Sequence, residues 1–257
     1  MDALEIIENL KKAYGNFETY RDAGVTKSSD ALTKDAQAPL QHFQTTFRRP
    51  LHYRCQCHYE LTAASSHPEL TATDGVLWSD GTTSRHYSNQ AETAETVPDA
   101  AHLFGPSLDP IFKGKAQVPD LIARMLMPSI FKEYDQFPLA REYWSVSGEE
   151  EIAVGDGRSE CWQVTQDLIV YKESLWIAKS DYTLRQHSRD IDYSFLDHAR
   201  VKSLIDTGSK MVRYLFKNFP DINKEILERG PRHYRTHFNQ IAVNEPIADH
   251  ELAAGFE

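Results

Sequence analysis

The sequence has no apolar run that approaches the roughly 20 residues of a membrane-spanning helix. Its N-terminus is acidic and amphipathic, without the basic and continuously apolar regions of a signal peptide. We therefore expect either a cytoplasmic protein or a periplasmic or other extracytoplasmic protein whose leader has been removed. Basic residues are also few, because 28 Lys and Arg stand against 38 Asp and Glu, a formal net charge of −10. That balance disfavours nucleic acid as a partner and a sequence-independent grip on an anionic membrane.

Cysteine is scarce, and catalytic signatures are missing. Cys55 and Cys57 stand side by side on one predicted strand, which is poor disulfide geometry, so a disulfide-stapled fold is not expected. Residues 157–161 fail the Gly-x-Ser-x-Gly nucleophile pattern, and no phosphate-binding or dinucleotide-binding glycine motif occurs. Cys55, Cys57 and His58 have no second cluster that would complete a zinc site. We therefore predict no catalytic residue, no metal site and no cofactor.

Strand-like alternation is abundant. From Leu51 to Leu61 apolar and polar residues alternate without a fault, which is typical of a strand with one buried and one wet face. Arg49 shares the parity of the apolar set, where a charge is costly unless it has partners. Arg49 is therefore a candidate functional residue, and an edge arginine reaching to water is the alternative.

Local patterns predict one mainly β (α+β) domain over 1–257. Amphipathic helices are predicted over 2–14, where Asp2 and Glu5 form a capping-box pattern, and over 119–127. Strands are predicted over 16–27, 40–47, 51–61, 75–79, 82–87, 141–147, 150–154, 160–166, 168–177, 183–193 and 234–243. Residues 88–118 are predicted to be loop-like, 194–232 to be a helical insertion, and the residues after 243 to fray. Many strands with few helices favour one curved antiparallel sheet that carries helices on its concave side.

Six segments follow one another in a characteristic order. They are a helix leading into NFETY, FRRP before an alternating strand, WSDGTTSRHY, VPDLIARML, SLWIAKSDYTLRQ and FNQIAVNEPIAD. This order resembles the LolA/LolB-like superfamily of bacterial lipoprotein carriers and related envelope proteins, over residues 2–193 and 234–250. The resemblance implies an open, unclosed β-barrel with a helical lid over an apolar cavity. It departs from the family at Ala178, where an acidic residue is usual, and at the insertion 194–232.

The resemblance also implies a site. Arg49 stands at the position that tethers the lid helix through hydrogen bonds. The other candidates share the buried parity of the strands or the apolar face of the lid: Phe47, Tyr53, Trp78, Tyr87, Leu121, Ile122, Met125, Trp144, Trp162 and Trp176. For each of them an ordinary place in the core is the alternative, because large apolar residues are usually just buried.

Three hypotheses about function remain open. The first is non-enzymatic binding or carriage of a hydrophobic ligand, a lipid or the acyl chain of a lipoprotein, in the cavity. The second is a cell-envelope sensor or protein-interaction module with a filled core, whose partner binds through 194–232. The third is an enzyme with a hydrophobic substrate, which requires titratable residues clustered inside the cavity.

Overall fold

Eleven strands and three helical segments make up the part of the chain that the structure describes. This computed structural model describes residues 1–30, 40–60, 73–88, 95–97, 117–129, 143–168, 171–191 and 232–253. The strands are β1 (Thr19–Asp30), β2 (Leu40–Arg48), β3 (His52–Glu60), β4 (Thr73–Asp80), β5 (Ser84–Ser88), β6 (Glu95–Val97), β7 (Trp144–Val154), β8 (Gly157–Leu168), β9 (Tyr171–Ala178), β10 (Leu184–Ile191) and β11 (Arg232–Val243). The helices are α1 (Ala3–Asn16), α2 (Gln117–Leu126) and a 3₁₀ helix, Asp249–Leu252.

The strands form one antiparallel sheet in the order β6-β5-β4-β3-β2-β1-β11-β10-β9-β8-β7. Strands β6 and β7 are its edges, and in the described residues they do not pair with each other, so the sheet is open. The sheet is also strongly curved. Four strand spacings separate β7 from β11, roughly 19 Å in a flat sheet, yet parts of the two strands lie with Cα atoms within 8 Å. The predicted mainly β fold with an open, curved antiparallel sheet is confirmed.

Both α-helices lie on the concave face. Helix α1 begins where the Asp2 side chain accepts a hydrogen bond from the Glu5 N–H at 2.8 Å, as the capping pattern predicted. It buries its apolar stripe, and α2 packs against α1 and β2. Helix α2 begins two residues earlier than predicted, which places Pro119 in the first turn, where its missing N–H has no helical partner in any case. No helix that the structure describes is long and apolar enough to cross a membrane.

The strand register decides which side chains face the helices. Alternate residues of β1 to β4 and of β7 to β11 join one large core with α1 and α2, among them Tyr20, Phe43, Phe47, Tyr53, Leu77, Val164, Leu175, Ile177 and Phe238. Gly24 lies in the same face, because a Cβ there would stand 2.5 Å from the Phe43 ring and from the His237 carbonyl. The intervening residues form the outer face. The concave core is therefore built by the period-two patterns of the sequence.

The two ends of the strands differ. Short turns join β2 to β3, β4 to β5, β7 to β8 and β9 to β10 at one end, which we call the hairpin end. At the opposite end, the loop end, β1 leads towards β2, β3 towards β4 and β10 towards β11 through residues outside the described ranges. Almost all of the predicted helical insertion 194–232, and most of the residues 88–118, lie outside the described residues. The described pieces of 88–118 correct the loop prediction, because they contain β6 and the first residues of α2.

The C-terminal residues are ordered against the outer face, contrary to the predicted fraying. We call residues 244–253 the C-terminal strap. The Asn244 N–H donates to the Thr19 carbonyl at 2.9 Å, Arg48 pairs with Asp249 at 2.7 Å, and the Trp78 indole N–H donates to the Leu252 carbonyl at 2.6 Å. Side chains on the outer face of β2 and β4 thus hold the strap.

We expect Trp78→Phe to loosen the strap. The change removes one indole hydrogen bond to a carbonyl and should cost about 1 kcal/mol. Hydrogen exchange of the amides in 249–253 should accelerate, while that of β9 is unchanged. Trp176→Phe is a matched control, since its indole N–H bonds the Glu150 carboxylate at 2.8 Å on a distant part of the outer face. Equal acceleration in both variants would contradict a local role for Trp78.

Candidate functional site

The concave face gathers most of the predicted site residues. Seven are buried in, or packed against, the single core formed with the helices: Phe47, Tyr53, Leu121, Ile122, Met125, Trp144 and Trp162. Trp162 is only partly buried, and its ring stacks on Tyr182 with centroids 5.5 Å apart. These residues therefore belong to one core cluster, which joins both helices to the sheet.

Two predicted tryptophans lie on the outer face instead, which corrects their assignment. Trp78 pairs with Arg54, while its neighbour Leu77 takes the concave side. Trp176 likewise lies between concave residues of β9 and packs with Ile152, Cys161 and Ala178 in a separate cluster. An amphipathic indole suits either face, so size and apolarity alone gave the wrong side. The backbone of Tyr87 pairs with Val76 of β4, and the side chain of Tyr87 is not among those that the structure describes.

Arg49 bonds α1, whereas the predicted tether required a bond to the lid helix, α2. Its guanidinium donates to the Tyr14 carbonyl at 3.3 Å and to the Gly15 carbonyl, both at the C-terminal end of α1, and it lies 5.5 Å from the Phe47 ring centroid. The last carbonyls of a helix lack helical donors and carry partial negative charge, so a guanidinium is well suited to them. Within the described residues Arg49 thus anchors α1 to the sheet and does not bond α2.

A buried hydrogen-bonded chain, missed by the sequence interpretation, connects α1 with three strands. The Leu184 N–H donates to the Tyr14 hydroxyl at 3.2 Å, and that hydroxyl lies 3.4 Å from the hydroxyl of Tyr20. Tyr20 donates to Asp22 Oδ2 at 2.8 Å, and the Thr45 N–H donates to Oδ1 at 3.1 Å. Burial raises the pKa of Asp22 to about 7 against these bonds, and it also raises the pKa of Tyr14.

The signal for Asp22 was present in the sequence. Tyr20, Asp22, Gly24 and Thr26 share one parity in β1, so an acid stands on the apolar side of a strand, as Arg49 does before β3. Only Arg49 is a predicted functional residue, because Asp22 lies in no recognisable motif. The rule that a charge on the buried parity needs partners applies to both residues.

The thiols beside this chain are unreactive in character. The Cys55 and Cys57 sulfur atoms lie 3.8 Å apart and unbonded, and both side chains are fully buried on the concave face. Burial raises the pKa of Cys57 well above its usual range. Since the thiolate is the nucleophile, these cysteines are suited to packing. No group of three or more His, Cys, Asp or Glu side chains in the described residues is placed to hold a metal ion.

A line of buried polar side chains crosses the concave face near the loop end. We call it the polar row; it contains His187, Thr236, Thr26 and Gln41, which lie opposite one another on β10, β11, β1 and β2. Each is at most 6% exposed. The next line towards the hairpin end contains Phe238 and Phe43. The concave face is therefore polar at the loop end and mainly apolar further in, apart from the Asp22 chain.

Comparisons with known proteins add likenesses of structure only. No family model matches the chain, and no curated protein matches it. A LolA superfamily protein from Nitrosomonas europaea is similar over 98% of each chain, with 8% identity and a TM-score of 0.35. LprF from Mycobacterium bovis is similar over 96% of this chain and 94% of its own, with 12% identity and a TM-score of 0.42.

A third similar structure is the MucA/MucB complex of Pseudomonas aeruginosa. The match covers 98% of this chain and 61% of that chain, with 11% identity and a TM-score of 0.42. The superfamily expected from the sequence is thus among the similar structures. At these identities and TM-scores the likenesses carry no argument about function, which has to come from the residues of this chain.

Proposed function

We propose that the protein binds an apolar chain, such as a lipid or the acyl chain of a lipoprotein, between the concave face and α2, without changing it chemically. The observation that carries the proposal is the position of α2. Its apolar side, with Ile122 and Leu126 fully buried and Met125 nearly so, covers the concave face of an open sheet. An acyl chain offers the same kind of contact, so it can take the place of the helix.

Physical reasons favour α2 as the displaced element. A helix of ten residues has little stability of its own, so its helical state depends on docking. Docking rests on apolar contact with α1 and β2, and apolar contact is not directional. A flexible chain of methylene groups can therefore replace it without matching any hydrogen-bond geometry.

The titratable groups of the concave face support binding over catalysis. Asp22 is held between Tyr20 and the Thr45 amide, and burial raises the pKa of the Cys57 thiol, which keeps its proton. An enzyme with a hydrophobic substrate would need a nucleophile or base with access to that substrate. These groups are instead occupied with one another inside the core.

Ile122→Val tests the displacement of α2. Removing one methylene from this buried position should weaken docking by about 1 kcal/mol. Because the ligand has to displace the helix, the affinity for a neutral probe, a fluorescent fatty-acid methyl ester, should rise about fivefold. Hydrogen exchange of 117–126 should accelerate in the same variant.

The control is Ile152→Val, the same change in the outer cluster with Cys161 and Trp176. It should lower the stability of the protein by a similar amount and leave probe affinity unaltered. Wild-type protein that binds no acyl probe at all would overturn the proposed function. Equal gains in affinity for both variants would show that general loosening, and not α2, controls binding.

A protein-interaction module is the second candidate. The observation in its favour is a set of large apolar side chains that stay exposed on or beside α1 and β7, two elements in contact with each other: Met1, Leu4, Tyr143 and Val146. The residues 194–232 are also predicted to carry a partner surface, but almost all of them lie outside the described residues. An extracytoplasmic place of action and a lipoprotein partner belong to the first candidate, and remain proposals with it.

A further inference from the structure

Some buried hydrogen-bonding atoms of the polar row have no oxygen or nitrogen partner among the described residues. His187 Nε2 lies 2.8 Å from Glu173 Oε1, which also accepts a bond from Arg189 at 2.8 Å. A carboxylate only accepts, so Nε2 carries the hydrogen of this bond. Burial lowers the pKa of His187, which keeps the ring neutral and leaves Nδ1 with a lone pair. Nδ1 is buried and has no partner in the described residues.

Gln41, at the other end of the row, also has buried polar atoms. Its side-chain oxygen and nitrogen are both buried, with no oxygen or nitrogen partner among the described residues, and the amide stands beside the Cys57 thiol, whose sulfur is only a weak hydrogen-bonding group. The two threonines between His187 and Gln41 satisfy each other, because their hydroxyl oxygens lie 2.8 Å apart. An unpaired buried polar atom destabilises the protein, because it has lost its hydrogen bonds to water without gaining others. A ligand that supplies partners at either end of the row would recover this cost.

We propose that the polar row is the subsite for the head of the bound amphiphile, and that this head is an uncharged group with hydrogen-bond donors, such as the hydroxyls of a monoacylglycerol. The inference rests on the proposed function. The head donates to His187 Nδ1 or to Gln41 Oε1 and accepts from Gln41 Nε2. The acyl chain runs from there towards the hairpin end, across Phe43 and Phe238.

The charges near the row argue against an anionic head. His187 presents a lone pair, and beside it stands the carboxylate of Glu173, whose Oε1 is already engaged by Arg189. At the His187 end of the row a fatty-acid carboxylate would therefore meet acceptors where it needs donors. A methyl ester is uncharged but has no hydrogen to donate, so it cannot bond His187 Nδ1 or Gln41 Oε1.

Two neutral competitors with the same acyl chain test the inference. Monoolein and methyl oleate are titrated against wild-type protein loaded with the neutral probe N-phenyl-1-naphthylamine. We expect monoolein to displace the probe at about tenfold lower concentration, a preference that corresponds to one or two hydrogen bonds. His187→Phe and Gln41→Leu should each reduce this preference towards one and leave the affinity for methyl oleate unchanged. Thr165→Val, the same change on the outer face, where the hydroxyl bonds that of Ser174 at 3.0 Å, should keep the preference.

The outcomes separate the two proposals. If both competitors displace the probe equally from wild-type protein, or if the variants keep the preference, the subsite is wrong while ligand binding stands. If neither competitor displaces the probe, or the probe does not bind, the proposed function itself fails. Should the variants not fold, ¹⁵N NMR of wild-type protein decides: the Nδ1 resonance of His187 should move with monoolein and stay in place with methyl oleate. A resonance that stays in place with both overturns the subsite.

Discussion

Asp22→Asn should make the protein more stable above pH 7, by about 2–3 kcal/mol. The ordinary pKa of an aspartate is 3.8, and burial raises that of Asp22 to about 7. Such a difference between the unfolded and folded states corresponds to about 4 kcal/mol. The asparagine avoids this cost, but its NH₂ group reverses the bonds towards Tyr20 and Tyr14, which removes part of the gain.

The sign of the effect follows from proton binding. Between about pH 4 and pH 7 folded Asp22 keeps its proton while the unfolded side chain has lost it, so the folded state binds more protons. Stability then falls as the pH rises through this window, and the deficit stays constant above it. Near pH 4 only about half of the unfolded side chains have lost their proton, so most of the deficit is gone, and the variant should be equal to wild type or about 1 kcal/mol less stable.

Urea unfolding at pH 4, 6 and 8 measures the difference. The stability of the variant relative to wild type should increase with pH and level off above pH 7. Asp156→Asn, at an exposed position in the β7–β8 turn, is the control and should show no such trend. Parallel stability curves for wild type and Asp22→Asn would mean that Asp22 ionises in the fold as easily as in the unfolded chain.

The sequence was sufficient for most of the described elements, although it divided β7 into 141–147 and 150–154 and missed β6. It was insufficient for the faces of some residues. Alternation in 51–61 predicted β3 and its buried side correctly, since Tyr53, Cys55 and Cys57 all face the core. Trp78 and Trp176 were misplaced, because the residues next to them, Leu77 and Leu175, are apolar too. Where both parities carry apolar residues, only the register with neighbouring strands decides the face.

Long-range partners were beyond the sequence for a related reason. The curvature of the sheet brings β7 beside β11, and the C-terminal strap crosses strands that are more than 160 residues away in the chain. The polar row is made of single residues from four strands, and no local pattern connects them. Each residue alone looks like an ordinary polar position, and only the pairing makes them a site.

Arg49→Leu should release the end of α1 and cost about 2–3 kcal/mol of stability. The guanidinium is a charged donor to two carbonyls, and such bonds contribute about 1.5–3 kcal/mol together with the attraction to the helix C-terminus. Hydrogen exchange should accelerate in the second half of α1, where Tyr14 also connects to Tyr20. Helix α2 should keep its protection, because Arg49 makes no bond to it in the described residues.

Arg48→Leu is a closely matched control for this prediction. Arg48, the neighbour of Arg49 on the chain, faces outward and pairs with Asp249, a carboxylate that is 90% exposed, so losing this pair should cost much less than losing the bonds of Arg49. Faster exchange in α1 for Arg49→Leu alone identifies the residue as an anchor of α1. Faster exchange confined to α2 would instead restore the latch that the sequence suggested. In that case the contacts of Arg49 with Tyr14 and Gly15 would not be the ones that matter in solution, and the displacement of α2 by a ligand would have to pass through Arg49.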